Sequence, residues 1–264
     1  MPLPTRPLRR SLAVGATVVA VVVALVLGVA PAGADPRTDA AYADAAHRSL
    51  VGRPATAQES AAWVAHIGAG GSRGSLVVPL AGSEELEAQL VEAEYQGILG
   101  RSADAGGGAF WLDYLQRPGA TLRSFEARLL GSPEFARRAG PTSEDLVVAL
   151  YDVILRRAPS DADVTYWTGR IDGGANPVIV ARGFLGSREA RALDVRLAYE
   201  GFLGRAVDAG GLALWIDRLG ATGDEQLLWA SLVVSREYYD KVPAADRART
   251  VPVAVPVSLA LGQG

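Results

Sequence analysis

Four of the five tryptophans in this 264-residue chain stand ten residues after an arginine, and a register that strict leaves few ways to fold. The pairs are Arg53/Trp63, Arg101/Trp111, Arg157/Trp167 and Arg205/Trp215. An aliphatic follows each tryptophan by four residues (Ile67, Leu115, Ile171, Leu219). A flat ring precedes each arginine by six (His47, Tyr95, Tyr151, Tyr199). A Ser-x-Glu tripeptide comes 30 or 31 residues past each arginine, bringing Glu85, Glu134, Glu189 and Glu237. A period near fifty residues marks stacked supersecondary units, each too small to bury its own apolar face.

The punctuation of each unit is helical. Three residues after the arginines come Thr56, Asp104, Ser160 and Asp208, side chains whose oxygen accepts from the orphan amides of a helix start. Thr56 with Glu59, and Ser160 with Asp163, read as capping boxes. Each tryptophan and its i+4 aliphatic then share one helix face. Ser72, Thr121, Asn176 and Asp224 start a second helix with an apolar stripe: Leu76/Leu80, Phe125/Leu129, Val180/Phe184 and Leu228/Leu232. Ser83, Ser132, Ser187 and Ser235 start a third, which runs into the next unit and stops at Gly52, Gly100 or Gly204, where a left-handed cap is wanted. The expected fold is therefore all-α, with tandem units at 35–87, 88–139, 140–191 and 192–242, packed in sequence or as two pairs.

Three irregularities carry further expectations. Arg156 stands where the third unit should have its glycine, which predicts a different turn there. The spacing from Ser-x-Glu to the next arginine is 18 residues twice, but 25 between units two and three. The extra residues include Gly140-Pro141-Thr142-Ser143, which reads as a hinge dividing the array into two pairs. The first unit is degenerate, with Pro79 inside its second helix and His47 in place of tyrosine, as befits a terminal cap. Beyond residue 242 the Val/Pro-rich segment 243–264 reads as a disordered tail, or alternatively as a strand that docks on a partner.

Arg6, Arg9 and Arg10, the apolar run Leu12 to Ala30 and the small residues Ala32-Gly33-Ala34 form an export signal at 1–34, cleaved before Asp35. The competing reading is an uncleaved membrane anchor, since the run nearly spans a bilayer. Either way the rest is expected to be secreted or at the cell surface. Cleavage removes three arginines and no acid, moving the balance from -3 to -6. A mildly acidic surface argues against nucleic acid as a partner, and no membrane span is expected after cleavage. The chain has no cysteine, so neither disulfides nor thiolate-bound zinc hold it together. Lys241 is the only lysine, a bias that points to GC-rich coding rather than to chemistry.

The run from Tyr95 through Gly100-Arg101, then Asp104, Gly107, Trp111 and Ser132-Pro133-Glu134-Phe135, resembles the bacterial family catalogued as domain of unknown function 4214. The run from Tyr199 through Gly204-Arg205, then Asp208, Gly211, Trp215 and Ser235-Arg236-Glu237-Tyr238, resembles it equally. The third unit, with Ser160 and Asp163 at two motif positions, is a weaker likeness, and the first is the weakest. That family occurs mainly in exported and surface proteins and is distantly similar to the phycobilisome linker domain, a scaffold. The resemblance implies an interaction role and brings no catalytic residues to transfer.

The arginine, tryptophan and glutamate sets could be four ligand sites, with tryptophan as a sugar platform. A group repeated in every unit normally serves the unit, so the favoured reading is structural: tryptophan fills the core and arginine pairs with glutamate. Asp104 and Asp208 lack a calcium-loop pattern and read as caps, so no metal and no cofactor is expected. His47 reads as a packing residue and His66 as exposed. With no Gly-x-Ser-x-Gly and no cysteine, no catalytic residue stands out and the chain is not expected to be an enzyme. Acid pairs such as Asp161/Asp163 sit at helix starts for dipole reasons. Trp229, off-register and unique to unit four, is the one residue singled out for ligand contact; its alternative role is to cover the end of the array. The expected function is a non-catalytic interaction module whose partner is an unidentified cell-envelope glycan or protein. A glycan-binding protein and an envelope-polymer hydrolase stand as alternatives.

Overall fold

The computed structural model describes residues 36–242; the segment 1–34 expected to be an export signal and the Val/Pro-rich segment 243–264 lie outside the described residues. Among the described residues every regular element is helical. Unit one comprises α1 (Pro36–Val51), α2 (Ala57–Gly68) and α3 (Gly74–Ala81). Helix α4 (Glu84–Glu94) leads into unit two, ends in a π-turn over Tyr95–Leu99, and is followed by α5 (Ala105–Leu115) and α6 (Leu122–Leu130). Short α7 (Pro133–Ala139) precedes α8 (Ser143–Leu150), its π-turn Tyr151–Leu155, α9 (Asp161–Asp172) and α10 (Pro177–Leu185). Then come α11 (Arg188–Leu203), α12 (Ala209–Thr222), α13 (Glu225–Val234) and α14 (Arg236–Lys241).

The helix starts lie where the capping side chains put them. Thr56, Asp104, Ser160 and Asp208 accept from the amides of Glu59, Gly107, Asp163 and Gly211. The boxes at Thr56/Glu59 and Ser160/Asp163 are both reciprocal. Thr121, Asn176 and Asp224 cap the stripe helices α6, α10 and α13, while Ser83, Ser132, Ser187 and Ser235 cap α4, α7, α11 and α14. Each such cap stabilises its helix by about 1 kcal/mol. The turn at Arg156 does not differ from its glycine counterparts. Arg156 adopts the left-handed conformation (φ 53°, ψ 39°), and its amide closes on Asp152 O as that of Gly100 closes on Gln96 O. A side chain there costs roughly 1–2 kcal/mol, which the surrounding helix pair absorbs.

The units do not stand in an open row. Each stripe helix needs a cover, and the stripes cover one another in pairs: α3 packs on α13, and α6 on α10. The result is a closed ring with an approximate two-fold, in which Arg53 and Arg157, like Arg101 and Arg205, are 104 residues apart. Bonds repeat across it: Arg123 Nη1 donates to Leu185 O, and Gln226 Nε2 donates to Ala81 O at 2.9 Å. The ends of the described chain meet. Tyr42 OH donates to Val233 O at 3.1 Å, Tyr239 OH to Asp39 Oδ1 at 2.7 Å, and Ser49 Oγ lies 2.6 Å from Tyr238 OH. Helix α14 thus stands beside α1 as α7 stands beside α8, and the first unit closes the ring instead of capping a free end.

The break between units two and three exists, with Gly140 at φ 145° and a fresh cap at Thr142, but it is a corner and not a hinge. The α6–α10 contact across it is so close that a Cβ on Gly131 would sit 2.6 Å from Val178 Cα. One continuous core runs through all four units, with Tyr42, Phe125, Ile154 and Leu228 fully enclosed. Gly131→Ala should therefore destabilise the protein by roughly 1–3 kcal/mol through overpacking. Gly82→Ala, at the equivalent position with no close neighbour but Val78 O at 3.8 Å, should change stability far less. Urea melts of the two variants check this, since an open array would treat them alike.

Candidate functional site

The structure brings each recurrent arginine to its glutamate. Arg53 meets Glu85 through two parallel bonds of 2.6 and 2.8 Å, and Arg101 meets Glu134 at 2.5 and 2.8 Å. Arg157 meets Glu189 at 2.6 and 3.0 Å, and Arg205 meets Glu237 at 2.6 Å twice. Each guanidinium also donates to the next residue's carbonyl, at Pro54, Ser102, Ala158 and Ala206. Three lie over the ring six residues back, at 5.1 Å from Tyr95, 4.8 Å from Tyr151 and 5.3 Å from Tyr199. In unit one His47 takes that place, and Glu59 adds a second acid to Arg53. The Arg205 hydrogen bonds hold the Glu237 carboxyl down to about 2, and Arg101 and Arg157 lower Glu134 and Glu189 in the same way. These clasps are partly exposed, and the bidentate fork is turned to the glutamate, so they tie each loop to a later helix start.

The register tryptophans divide into two kinds. Trp63 and Trp215 are buried, at 6% and 5% exposure. Trp111 and Trp167 are half-buried and pack against Phe125 and Phe184, at ring separations of 4.8 and 4.4 Å. Trp229, singled out from the sequence for ligand contact, is 5% exposed and lies in the core. Helix α13 is packed by both α3 and α11, so almost every side of it is interior. Large exposed apolar side chains stand elsewhere. Phe110, Tyr166 and Leu214 are 54%, 56% and 49% exposed, each immediately before a register tryptophan. A helical step of about 100° turns that neighbour out of the core when the tryptophan faces in. The signal was present in the sequence as an apolar residue at that position in all four units, beginning with Ala62.

Sequence reasoning also missed a buried ionic cluster. Arg123 on α6 reaches across the ring to Asp194 on α11 and to Glu225 on α13, the latter at 2.8 Å. Glu126, one turn on from Arg123, is 2% exposed, and neither of its carboxylate oxygens has a hydrogen-bond partner. Burial pushes Glu126 well above the ordinary carboxyl range, and the charges of Glu225 and Glu94 add to the effect. Asp194 rises to about 7, again chiefly through burial. The available signal was positional: Glu126 replaces Val77, Ala181 and Trp229, and Asp194 replaces Tyr42, Leu90 and Leu146.

The other polar groups singled out from the sequence have local partners. Asp104 and Asp208 cap α5 and α12, accepting from Gly107 N and Gly211 N at 2.9 Å. His47 is buried, with Nδ1 2.8 Å from Ala43 O. His66 is half-buried instead of exposed, with Nε2 2.9 Å from Ser75 Oγ. That hydroxyl donates to Ser72 O at 2.7 Å, so the pair fastens a helix start and does not present an activated nucleophile. Among the described residues no group of three or more His, Cys, Asp or Glu could hold a metal ion, and no helix is long and apolar enough to cross a membrane.

A double-mutant cycle with Arg157→Ala and Glu189→Ala should give a coupling of roughly 0.5–1 kcal/mol, the upper range for an exposed pair because the fork is bidentate. Glu189 is held below its ordinary value of 4.5, so this stability is present above that pH and lost as acid protonates the carboxylate. Denaturation of the four proteins at pH 7 and pH 3 tests both statements.

A family profile described as domain of unknown function (DUF4214) matches residues 127–193. The match runs from within α6 to α11 and so centres on unit three, not on units two and four, whose motif residues are the fuller set. It begins before one clasp glutamate, Glu134, and ends just past the next, Glu189. No curated protein and no solved structure shows significant similarity to the chain. What this chain is similar to, over that region, is a helical repeat family of unassigned function.

Proposed function

We propose that the chain is an exported, non-catalytic interaction scaffold, working at a bacterial cell surface or in the surrounding medium, and that its four units are copies of one family module. The observation that carries this reading is the exposed apolar residue before the tryptophan in three units: Phe110, Tyr166 and Leu214. Isolated surface apolars are ordinary, as Val148 and Ile179 are here, but recurrence at one register position in three units suggests a use. The recurrent polar groups are already occupied in the clasps, which favours a binding surface over a reaction centre. The export signal expected at 1–34 and the resemblance drawn from the sequence to a scaffold family point in the same direction.

A glycan partner is the second reading, favoured by the two aromatic members of that set. Phe110 packs edge-on to Trp111 at 4.9 Å, and Tyr166 edge-on to Trp167 at 5.1 Å with Arg170 beside it. Exposed rings braced by a second ring suit sugar stacking. The hydrolase alternative has less support, since Glu94, Glu126, Asp194 and Glu225 are enclosed between helices instead of facing each other across an open groove.

Cosedimentation with cell envelopes of the source bacterium, and with purified peptidoglycan, tests both readings. Phe110→Ser, Tyr166→Ser and Leu214→Ser should each leave stability within about 0.5 kcal/mol, because the side chains are exposed. If a protein is the partner, all three should weaken envelope binding and none should matter for glycan. If a glycan is the partner, only the two aromatic variants should lose it. Undiminished binding by the triple variant would reject the surface.

A further inference from the structure

The ionic cluster lies at the meeting of units two, three and four, and the closed ring does not require it. On α6 it contains Arg123 and Glu126; from α4 Glu94 faces it, from α11 Asp194, from the N-terminus of α13 Glu225 with its neighbour Asp224, and from the left-handed cap after α8 Arg156. Arg123 is neutralised by Asp194 and Glu225, both within ion-pair distance. Glu126 is then an additional acid, enclosed, with both oxygens unpartnered. A buried carboxylate in that state is strongly unfavourable, whereas its neutral acid is merely a poorly satisfied polar group. Three other units place Val77, Ala181 and Trp229 at the same position, all buried, so the fold itself wants an apolar side chain there.

We propose that Glu126, with Arg123, Asp194 and Glu225, forms a proton-operated latch between the second and fourth units, closed while Glu126 carries its proton and loosened when it ionises. Burial raises Glu126, Asp194 and Glu225 together, so the folded ring holds more protons than the unfolded chain. The stability they contribute is full below the ordinary carboxyl values of 3.8 to 4.5 and declines as pH rises toward and through the raised ones, Asp194 reaching about 7. Glu134, Glu189 and Glu237 are held below the ordinary carboxyl range by their arginines and so add no slope to that interval. The helices that would part are α6 from α11 and α13, which the Arg123 ion pairs join beside the α6–α10 contact.

The test is the urea unfolding midpoint of the intact protein from pH 5 to pH 8, for wild type, Glu126→Gln and Glu126→Val. The wild-type unfolding constant should grow with pH, by up to about tenfold per pH unit for each group in its titration range. Both variants should show a shallower rise and be more stable than wild type at pH 8. Glu87 and Asp224 are also raised by burial and stay in all three proteins, so the difference between slopes belongs to Glu126. Hydrogen exchange, corrected for intrinsic rates, should show α6 and α13 losing protection first in wild type at pH 8. A wild-type midpoint that is flat or rises from pH 5 to pH 8 overturns the proposal without any variant. So do slopes that are unchanged in whichever variant folds.

Discussion

A unit of three short helices can bury the inner faces of its first two, but the stripe on the third has nothing of its own to rest on. That constraint governs the architecture. Phe125 and Leu129 on α6, and Leu228 and Leu232 on α13, are all buried because a stripe helix of another unit covers them. The partners are α3 with α13 and α6 with α10, which pair the first unit with the fourth and the second with the third. Four units satisfied in pairs make a ring, and the ring uses the short helix α14 to seat Tyr238 and Tyr239 against α1. An open solenoid would leave two apolar stripes in water.

The local half of this structure was legible in the sequence, and the closing half was not. Caps depend on one side chain and the amides two or three residues on, so the order of Ser, Thr, Asp and Asn residues predicts almost every helix start. The arginine and glutamate pairing could be read because its register recurs four times. Which stripe covers which could not, because an amphipathic helix specifies that it has a buried face and not what buries it. Trp229 was misassigned for the same reason: rarity in the repeat says that a position is unusual, while burial depends on α3 arriving from the far end of the chain. Arg156 shows the converse, a local preference for glycine overridden by the packing around it. The exposed Phe110, Tyr166 and Leu214 could have been found by asking what a 100° step does to the neighbour of a buried tryptophan.

Charge is handled in two opposite ways. On the surface Glu134, Glu189 and Glu237 are each bound by an arginine fork, which lowers them and makes stability fall as the solution becomes acidic. In the centre burial raises Glu126, Asp194 and Glu225, which makes stability fall as the solution becomes alkaline. The two sets are separate in space and act on different sides of the ordinary carboxyl range, so together they define a stability maximum in mild acid. The surface set is exposed and screened by salt, while the central set is shielded from it.

The approximate two-fold allows the need for that central charge to be judged from within the molecule. Arg123 and Gln226 occupy the same register, and each donates to the carbonyl two residues before the next capping serine, Leu185 O and Ala81 O. The fold therefore asks for a donor at this position and is satisfied by a neutral amide. Where the amide stands, the surrounding register positions are Leu90 and Leu122, both buried and apolar. Where the guanidinium stands, they are Asp194 and Glu225, the counter-ions that a buried cation requires. Those two acids follow from the arginine. Glu126 does not, for its counterpart Trp229 fills the same space with hydrocarbon and a ring. One side of a near-symmetric interior has been left apolar and the other given an excess carboxyl, a difference that backbone geometry does not demand.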